Sequence, residues 1–384
     1  MKRIPHLAVA RLAVLPLGLV AFVSGAEARA VERSGGVYHV AACAHAVGPT
    51  ARCFARIVTD ASGRIAVSSP RAIGGYTPGD LRDAYKIKGT GAPTTIVAAA
   101  TAYGYTNAEA DLGVYRAQFG LAACTTANGC FKKLNQNGVQ GSYPAQNLGW
   151  AQEAAVDLDM ASAMCPSCQI WLLEADTSSF ANLAATVDTA ASLGAHAISN
   201  SYGGAESGTT AYEPHYNHPG IAITASGGDS GLGGPQFPAS SPHVTAVGGT
   251  HLVPAANARG WSETAIGGGG CSTVYAKPAW QTWPGCTRRV DNDVAAVGDP
   301  ATGVAVYGPV SSTASGWMVF GGTSVSAPII AGVYGVNGGA VTYGSDPYAH
   351  PTQLFDITAG TGAGPGYDPA TGMGTPMGAG AFGP

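Results

Sequence analysis

Charge is what this chain has least of. Of its 384 residues only 19 are Lys or Arg and 23 are Asp or Glu, less than half the charged share of an ordinary domain. A net charge of −4 with no basic stripe excludes the electrostatic footprint of a nucleic-acid binder. So few ionisable groups build little self-repulsion as carboxylates protonate, which predicts tolerance of acid. No apolar run is long enough to cross a bilayer. No second C-x-x-C completes a four-thiolate zinc site around "CPSC", Cys165 to Cys168. No internal repeat or long low-complexity linker interrupts the body of the chain.

Glycine, by contrast, is abundant: 56 residues, enough for many tight turns and close backbone contacts. The start, "MKRIPHLAVAR", carries Lys2, Arg3 and Arg11 ahead of the apolar run Leu12 to Val23. Ala28-Arg29-Ala30 then fits a small-x-small cleavage site. Residues 1–30 are therefore read as a secretory signal, and the protein as secreted, with no membrane association once the signal is removed. All eight cysteines follow it, in four sequence-local couples. An even number in a secreted chain favours disulfides, taken as Cys43–Cys53, Cys124–Cys130, Cys165–Cys168 and Cys271–Cys286.

From "TTIVAAATAYG" onward, continuous apolar runs such as "QIWLLEA", "HAISNSYGG" and "IAITASGGDSG" alternate with helical patterns such as "NAEADLGVYRAQFGL" and "SSFANLAATVDTAASLGA". This alternation predicts an α/β fold with a mostly parallel central sheet and helices on both faces. Functional loops are then expected at the carboxyl ends of strands. Residues 76–384 read as one domain, preceded by a short mixed segment over residues 31–75.

Four places carry candidate chemistry. Ser324, in "FGGTSVSAPI", sits where a helix should open. It is either an N-cap or a nucleophile facing free backbone N–H groups. The motif is not G-x-S-x-G, because Ser326 holds the second glycine position. In "AQEAAVDLDMASAMC", Glu153 and Asp157 share one helix face. Set among apolar residues, they are either a solvated acidic pair or two carboxyls that share a proton and work as acid and base. Asp229 in "TASGGDSGLGG" is a turn former, or, when protonated, a donor to an oxyanion. Near the C-terminus Asp356 and Asp368 bracket a glycine-rich loop whose oxygens suit Ca²⁺. Among nine histidines, His215 and His218 form an H-x-x-H read as a surface loop.

Together and in this order, "YTPGDLRDAY", "NAEADLGVYRAQFGL", the E-x3-D helix, "ISNSYGG", "SGGDSG", "GGTSVSAP" and "DIT…GPGYDPATGMG" resemble the sedolisins, the serine-carboxyl peptidases with a subtilisin-like fold. The resemblance covers about residue 75 to the end. It implies Ser324 as nucleophile, Glu153 as general base and then acid, Asp157 as its orienting partner, and Asp229 as an oxyanion donor beside the Ser324 amide. It implies one structural Ca²⁺ on the carboxylates of Asp356 and Asp368 and the carbonyls of Ile357, Gly364 and Gly366. Ser199, Asn200, Ser201, Tyr202, Gly203 and Gly204 would pair with an extended polypeptide substrate. The chain is thus expected to be an acid-active, secreted, monomeric endopeptidase, the alternative being a catalytically silent relative that binds protein or cell wall. Residues 31–75 are too few for the family's long N-terminal activation domain. They are either a vestigial pro-piece or a retained extension. Thr101 and Ala102 also stand where relatives often carry acidic residues.

Overall fold

A computed structural model describes residue 1, residues 29–338 and residues 341–384. The signal read over residues 1–30 lies, apart from its ends, outside the described residues.

The N-terminal region supplies four short strands, β1 (Val31–Ser34), β2 (Val37–Ala41), β3 (Arg52–Cys53) and β4 (Arg56–Thr59). The body continues with α1 (Pro78–Ala84), β5 (Ile96–Ala102), α2 (Ala108–Gln118), β6 (Phe131–Asn135), α3 (Leu148–Met164), β7 (Gln169–Ala175) and α4 (Phe180–Ser192). Next come β8 (Ala197–Asn200), β9 (Tyr202–Gly203), β10 (Ala222–Ser226), β11 (Thr245–Pro254), β12 (Trp261–Ala265) and β13 (Val294–Val297). Then follow β14 (Val304–Pro309), β15 (Ser315–Gly321) and α5 (Thr323–Asn337).

The central sheet has eight strands in the order β12-β11-β10-β8-β5-β7-β6, with β13 also on β11. All its pairings are parallel except β11 with β12. Every residue of β8 and β10 is buried. Strand side chains alternate between faces, so both faces must be covered. α3 and α5 pack on each other, α5 lies along β8, β10, β11 and β13, and α4 packs on β5 and β7. The fold is the expected α/β, subtilisin-like one.

A second, antiparallel sheet runs β1-β2-β4-β15-β14. Residues 31–59 are thereby stitched onto the strand that leads into α5. The four disulfides join the four sequence-local couples, and no described cysteine is free.

Local signals explain the ends that matter. Thr77 caps α1 through a reciprocal pair with Asp80, ahead of Pro78. α5 begins one residue before Ser324, after Gly322 at φ +90°, a conformation that favours glycine. A Cβ on Gly322 would also lie 1.9 Å from the Phe54 carbonyl oxygen. Pro328 lies inside α5 and has no N–H for the Ser324 carbonyl one turn back. That carbonyl instead lies 3.4 Å from the Ser201 hydroxyl.

Candidate active site

Three chain segments meet at the carboxyl ends of β8 and β10 and at the N-terminus of α5. β8 runs into Ser201–Gly204, β10 into Gly227–Asp229, and β15 into Gly322 and Ser324. Neighbouring parallel strands end side by side, so their loops converge. α3 lies against this junction, and its residues from Gly149 to Met164 are all buried.

Ser324 is fully buried. Its Oγ lies 2.8 Å from Glu153 Oε2 and 3.0 Å from the Ser201 carbonyl. Glu153 and Asp157 are also fully buried. Asp157 Oδ1 accepts from Ser201 Oγ at 2.5 Å and from Ser199 Oγ at 3.4 Å. Glu153 Oε1 and Asp157 Oδ2 are buried with no hydrogen-bond partner among the described residues. Burial, and then the neighbouring Asp157, push the Glu153 carboxyl well above its usual range, against the hydrogen bond from Ser324. Burial likewise pushes Asp157 up to about 8, against the two serine hydroxyls.

Asp229 reaches the same end of α5. Its Oδ1 accepts from the Thr323 amide and hydroxyl, each at 2.9 Å. Its Oδ2 accepts from Arg56 Nε at 3.0 Å, and Arg56 also pairs with Glu32 at 2.6 Å. Both Asp229 oxygens are therefore acceptors in this arrangement.

The six residues from Ser199 to Gly204 divide by face. Ser199 and Ser201 turn their hydroxyls to Asp157. Asn200 donates to the Thr224 carbonyl at 3.0 Å, and Tyr202 OH donates to Asn200 Oδ1 at 2.7 Å. Gly204 bridges to Phe237. What Tyr202 and Gly203 offer to a neighbour is backbone, and β3 takes it in antiparallel register, Arg52 opposite Gly203 and Cys53 opposite Tyr202.

The residues read as a calcium site fold around one loop. Asp356 is exposed, and its Oδ2 accepts from the Gly366 amide at 2.8 Å. Asp368 is buried. Its Oδ1 accepts from the amides of Ala370 and Thr371, and its Oδ2 from the Gly364 amide at 3.1 Å. Ile357 is buried behind Asp356. Two carboxylates beside several carbonyls are hard oxygen donors of the kind Ca²⁺ takes. The Asp356 side of the loop has lone pairs to spare, whereas Asp368 holds several backbone donors. Among the described residues, no group of three or more His, Cys, Asp or Glu side chains is placed to hold a metal. No described helix is long and apolar enough to cross a membrane.

Phe54, Ala55 and Arg56 were not picked out by sequence reasoning. The Phe54 amide donates to Ser324 Oγ at 2.9 Å and the Ala55 amide to Glu153 Oε2 at 3.1 Å. No periodicity marks them. The one signal was Cys53, whose link to Cys43 ties down a loop next to them.

Known proteins share this arrangement of elements. No family model matches the chain. Kumamolisin from Bacillus sp. (strain MN-32) is 31% identical over 386 residues, covering 86% of this chain and 67% of kumamolisin. Tripeptidyl-peptidase 1 from Bos taurus is 29% identical over 208 residues, 41% of this chain and 36% of that protein. Pseudomonas sedolisin, a serine-carboxyl proteinase solved with two molecules of pseudo-iodotyrostatin, superposes with a TM-score of 0.66 at 24% identity, covering 80% of this chain and 96% of that one. The extent of the match to kumamolisin, together with the fold, identifies the chain as a member of the sedolisin family of serine-carboxyl peptidases.

Proposed function

We propose that the chain is a secreted, acid-active serine-carboxyl endopeptidase. The observation that carries this reading is the buried 2.8 Å contact between Ser324 Oγ and Glu153 Oε2. Glu153 Oε2 takes the Ser324 proton as the hydroxyl adds to a peptide carbonyl, then returns it to the departing nitrogen. Asp157, held by Ser199 and Ser201, orients Glu153. A proton between Glu153 Oε1 and Asp157 Oδ2 satisfies both orphaned oxygens, and a pair that keeps one proton still has an ionised oxygen to offer in acid. A histidine base would be protonated there and unable to accept.

Asp229 and the Ser324 amide stabilise the tetrahedral oxyanion. For Asp229 to donate, Oδ2 must carry a proton and let go of Arg56. The backbone of Ser201–Gly203 receives extended polypeptide by strand addition. One Ca²⁺, bound by Asp356 and Asp368 with carbonyls of Ile357, Gly364 and Gly366, would pin the C-terminal loop. The four disulfides and the signal-like start support an extracellular location.

The test is hydrolysis of a denatured protein at about pH 4, inside the usual carboxylate range. Ser324→Ala is expected to abolish it with the fold retained, and Glu153→Gln to slow it roughly 100–10,000-fold. Full activity in Ser324→Ala refutes the assignment.

A further inference from the structure

The turn that carries Asp229 is backed by a side chain from far along the sequence. β10 ends at Ser226, and Gly227 and Gly228 lead into Asp229. Asn292, just ahead of β13, is fully buried and bears on the start of that turn. A Cβ on Gly227 would fall on Asn292 Oδ1. A Cβ on Gly248 would lie 3.1 Å from the Asn292 amide nitrogen, and one on Gly269 2.8 Å from it. Glycines from three separate segments thus leave a cradle fitted to one amide, and a larger residue at any of them would crowd it.

That amide joins loops that are distant in sequence. Asn292 Nδ2 donates to the carbonyls of Gly268 at 3.1 Å, Pro369 at 2.8 Å and Ala370 at 3.2 Å. Two N–H groups therefore serve three acceptors. Gly268 itself packs on the Asp229 turn, for a Cβ there would lie 2.5 Å from the Gly228 carbonyl oxygen. Gly228 donates to Thr323 Oγ1 at 3.2 Å, and Thr323 Oγ1 donates to Asp229 Oδ1 at 2.9 Å. Asn292 Oδ1 has no hydrogen-bond partner among the described residues. The backbone of Asn292 is at φ +71°, a left-handed conformation that asparagine tolerates better than most residues. An orphaned buried oxygen and a left-handed backbone both cost stability, and such features persist where a site needs a fixed geometry.

We propose that Asn292 is a positioning residue that clamps the Asp229 turn, so that Asp229 and the Ser324 amide keep their spacing while charge develops on the oxyanion. This rests on the peptidase reading above and on Asp229 as its oxyanion donor. In that reading the Asp229 carboxyl must leave Arg56 and turn to the oxyanion. A side chain can change partners accurately only if the main chain beneath it stays still. Asn292 holds that main chain, directly at Gly227 and through Gly268 at Gly228. It does not touch substrate, so its loss loosens the donor and leaves the cleft intact. The effect then falls on kcat and spares KM, the mark of an interaction that matters in the transition state.

The experiment follows cleavage of an internally quenched peptide at about pH 4 by the full chain and by its Asn292→Gly, Asp229→Ala and doubly substituted variants, each well below its melting temperature. Glycine keeps the left-handed backbone and removes only the amide. Asn292→Gly is expected to lower kcat about 10-fold, as a misplaced group does, with KM within about 2-fold. Affinity for a peptide aldehyde, whose adduct with Ser324 puts an oxygen at the oxyanion position, should weaken by the same factor as kcat. Asp229→Ala should cost roughly 100–1000-fold, and adding Asn292→Gly to it should change kcat by less than about 2-fold. Asn292→Asp keeps the shape but donates to at most one of the three carbonyls. It should lower kcat in the same sense, and it serves if the glycine variant does not fold. An unchanged kcat in both Asn292 variants, or a loss that multiplies in full on Asp229→Ala, overturns the clamp while the peptidase reading stands. Full activity in Asp229→Ala removes the oxyanion role and the clamp together.

Discussion

At the scale of single residues, the site turns on two carboxyls that water cannot reach. Glu153 and Asp157 are four apart on α3, so the helix itself holds them together on one face. Burial first, and then Asp157, raises Glu153. Replacing Asp157 with Ala removes the carboxyl that shares a proton with Glu153. The acidic limb of the kcat/KM profile is then expected to move to higher pH, since the ionised form of Glu153 loses the shared proton that favours the first ionisation. A profile with an unmoved acidic limb and a merely lower plateau would show that Asp157 only shapes the pocket. Legibility at this scale was uneven. The four residues Ser324, Glu153, Asp157 and Asp229 were recognisable because short motifs carry them. Arg56 on Asp229 was not, because nothing local ties a cation at position 56 to a glycine-rich turn at position 229.

At the scale of elements, the sequence spoke most clearly where local chemistry settles the outcome. Thr77-Pro78 and Asp80 make a cap by themselves, and the apolar runs of β5, β7, β8 and β10 have no polar period because both their faces are covered. The segment before residue 75 read as mixed, since β1, β2 and β4 acquire their meaning only by pairing with β15. The C-terminal loop is an element whose ligand can be tested directly. A site loaded at calcium about 100-fold above its dissociation constant adds about 2.7 kcal/mol. Chelation is therefore expected to lower the melting temperature, and calcium to restore it. Asp356→Asn should abolish that response, because Asp356 is exposed and makes a single backbone contact. A melting temperature indifferent to chelator removes the metal from the C-terminal loop.

At the scale of the whole molecule, scarce surface charge is matched by carboxyls buried inside. Burial raises Asp111, Asp159 and Asp291, holds one proton on the Glu153–Asp157 pair, and lifts Glu174 to about 6. The sign follows from proton counting. Between the usual carboxylate range and about pH 8, the unfolded chain has lost protons that the fold still holds. Stability is then complete below the unfolded values and falls as pH rises through the folded ones. Each retained proton removes up to about 1.4 kcal/mol per pH unit in that window. Glu213, which burial would raise but the hydrogen bonds from His243 and Ser241 lower, acts in the opposite direction. The melting temperature is expected to fall from about pH 4 to about pH 8. A melting temperature that rises over this range would mean that these carboxyls ionise in the fold.

By itself the sequence determined the fold class and the pairing of cysteines close in sequence, and it singled out the motif residues. Each depends on neighbours within a few positions, on a period, or on a short string with its own geometry. Only the tertiary structure decided what lies in the cleft. Phe54 reaches Ser324 across 270 positions and Ala55 reaches Glu153 across 98. Such contacts follow from how the strands stack, because a backbone amide offers the same donor whatever residue carries it. A string of residue types therefore cannot say which peptide bond will lie beside Ser324.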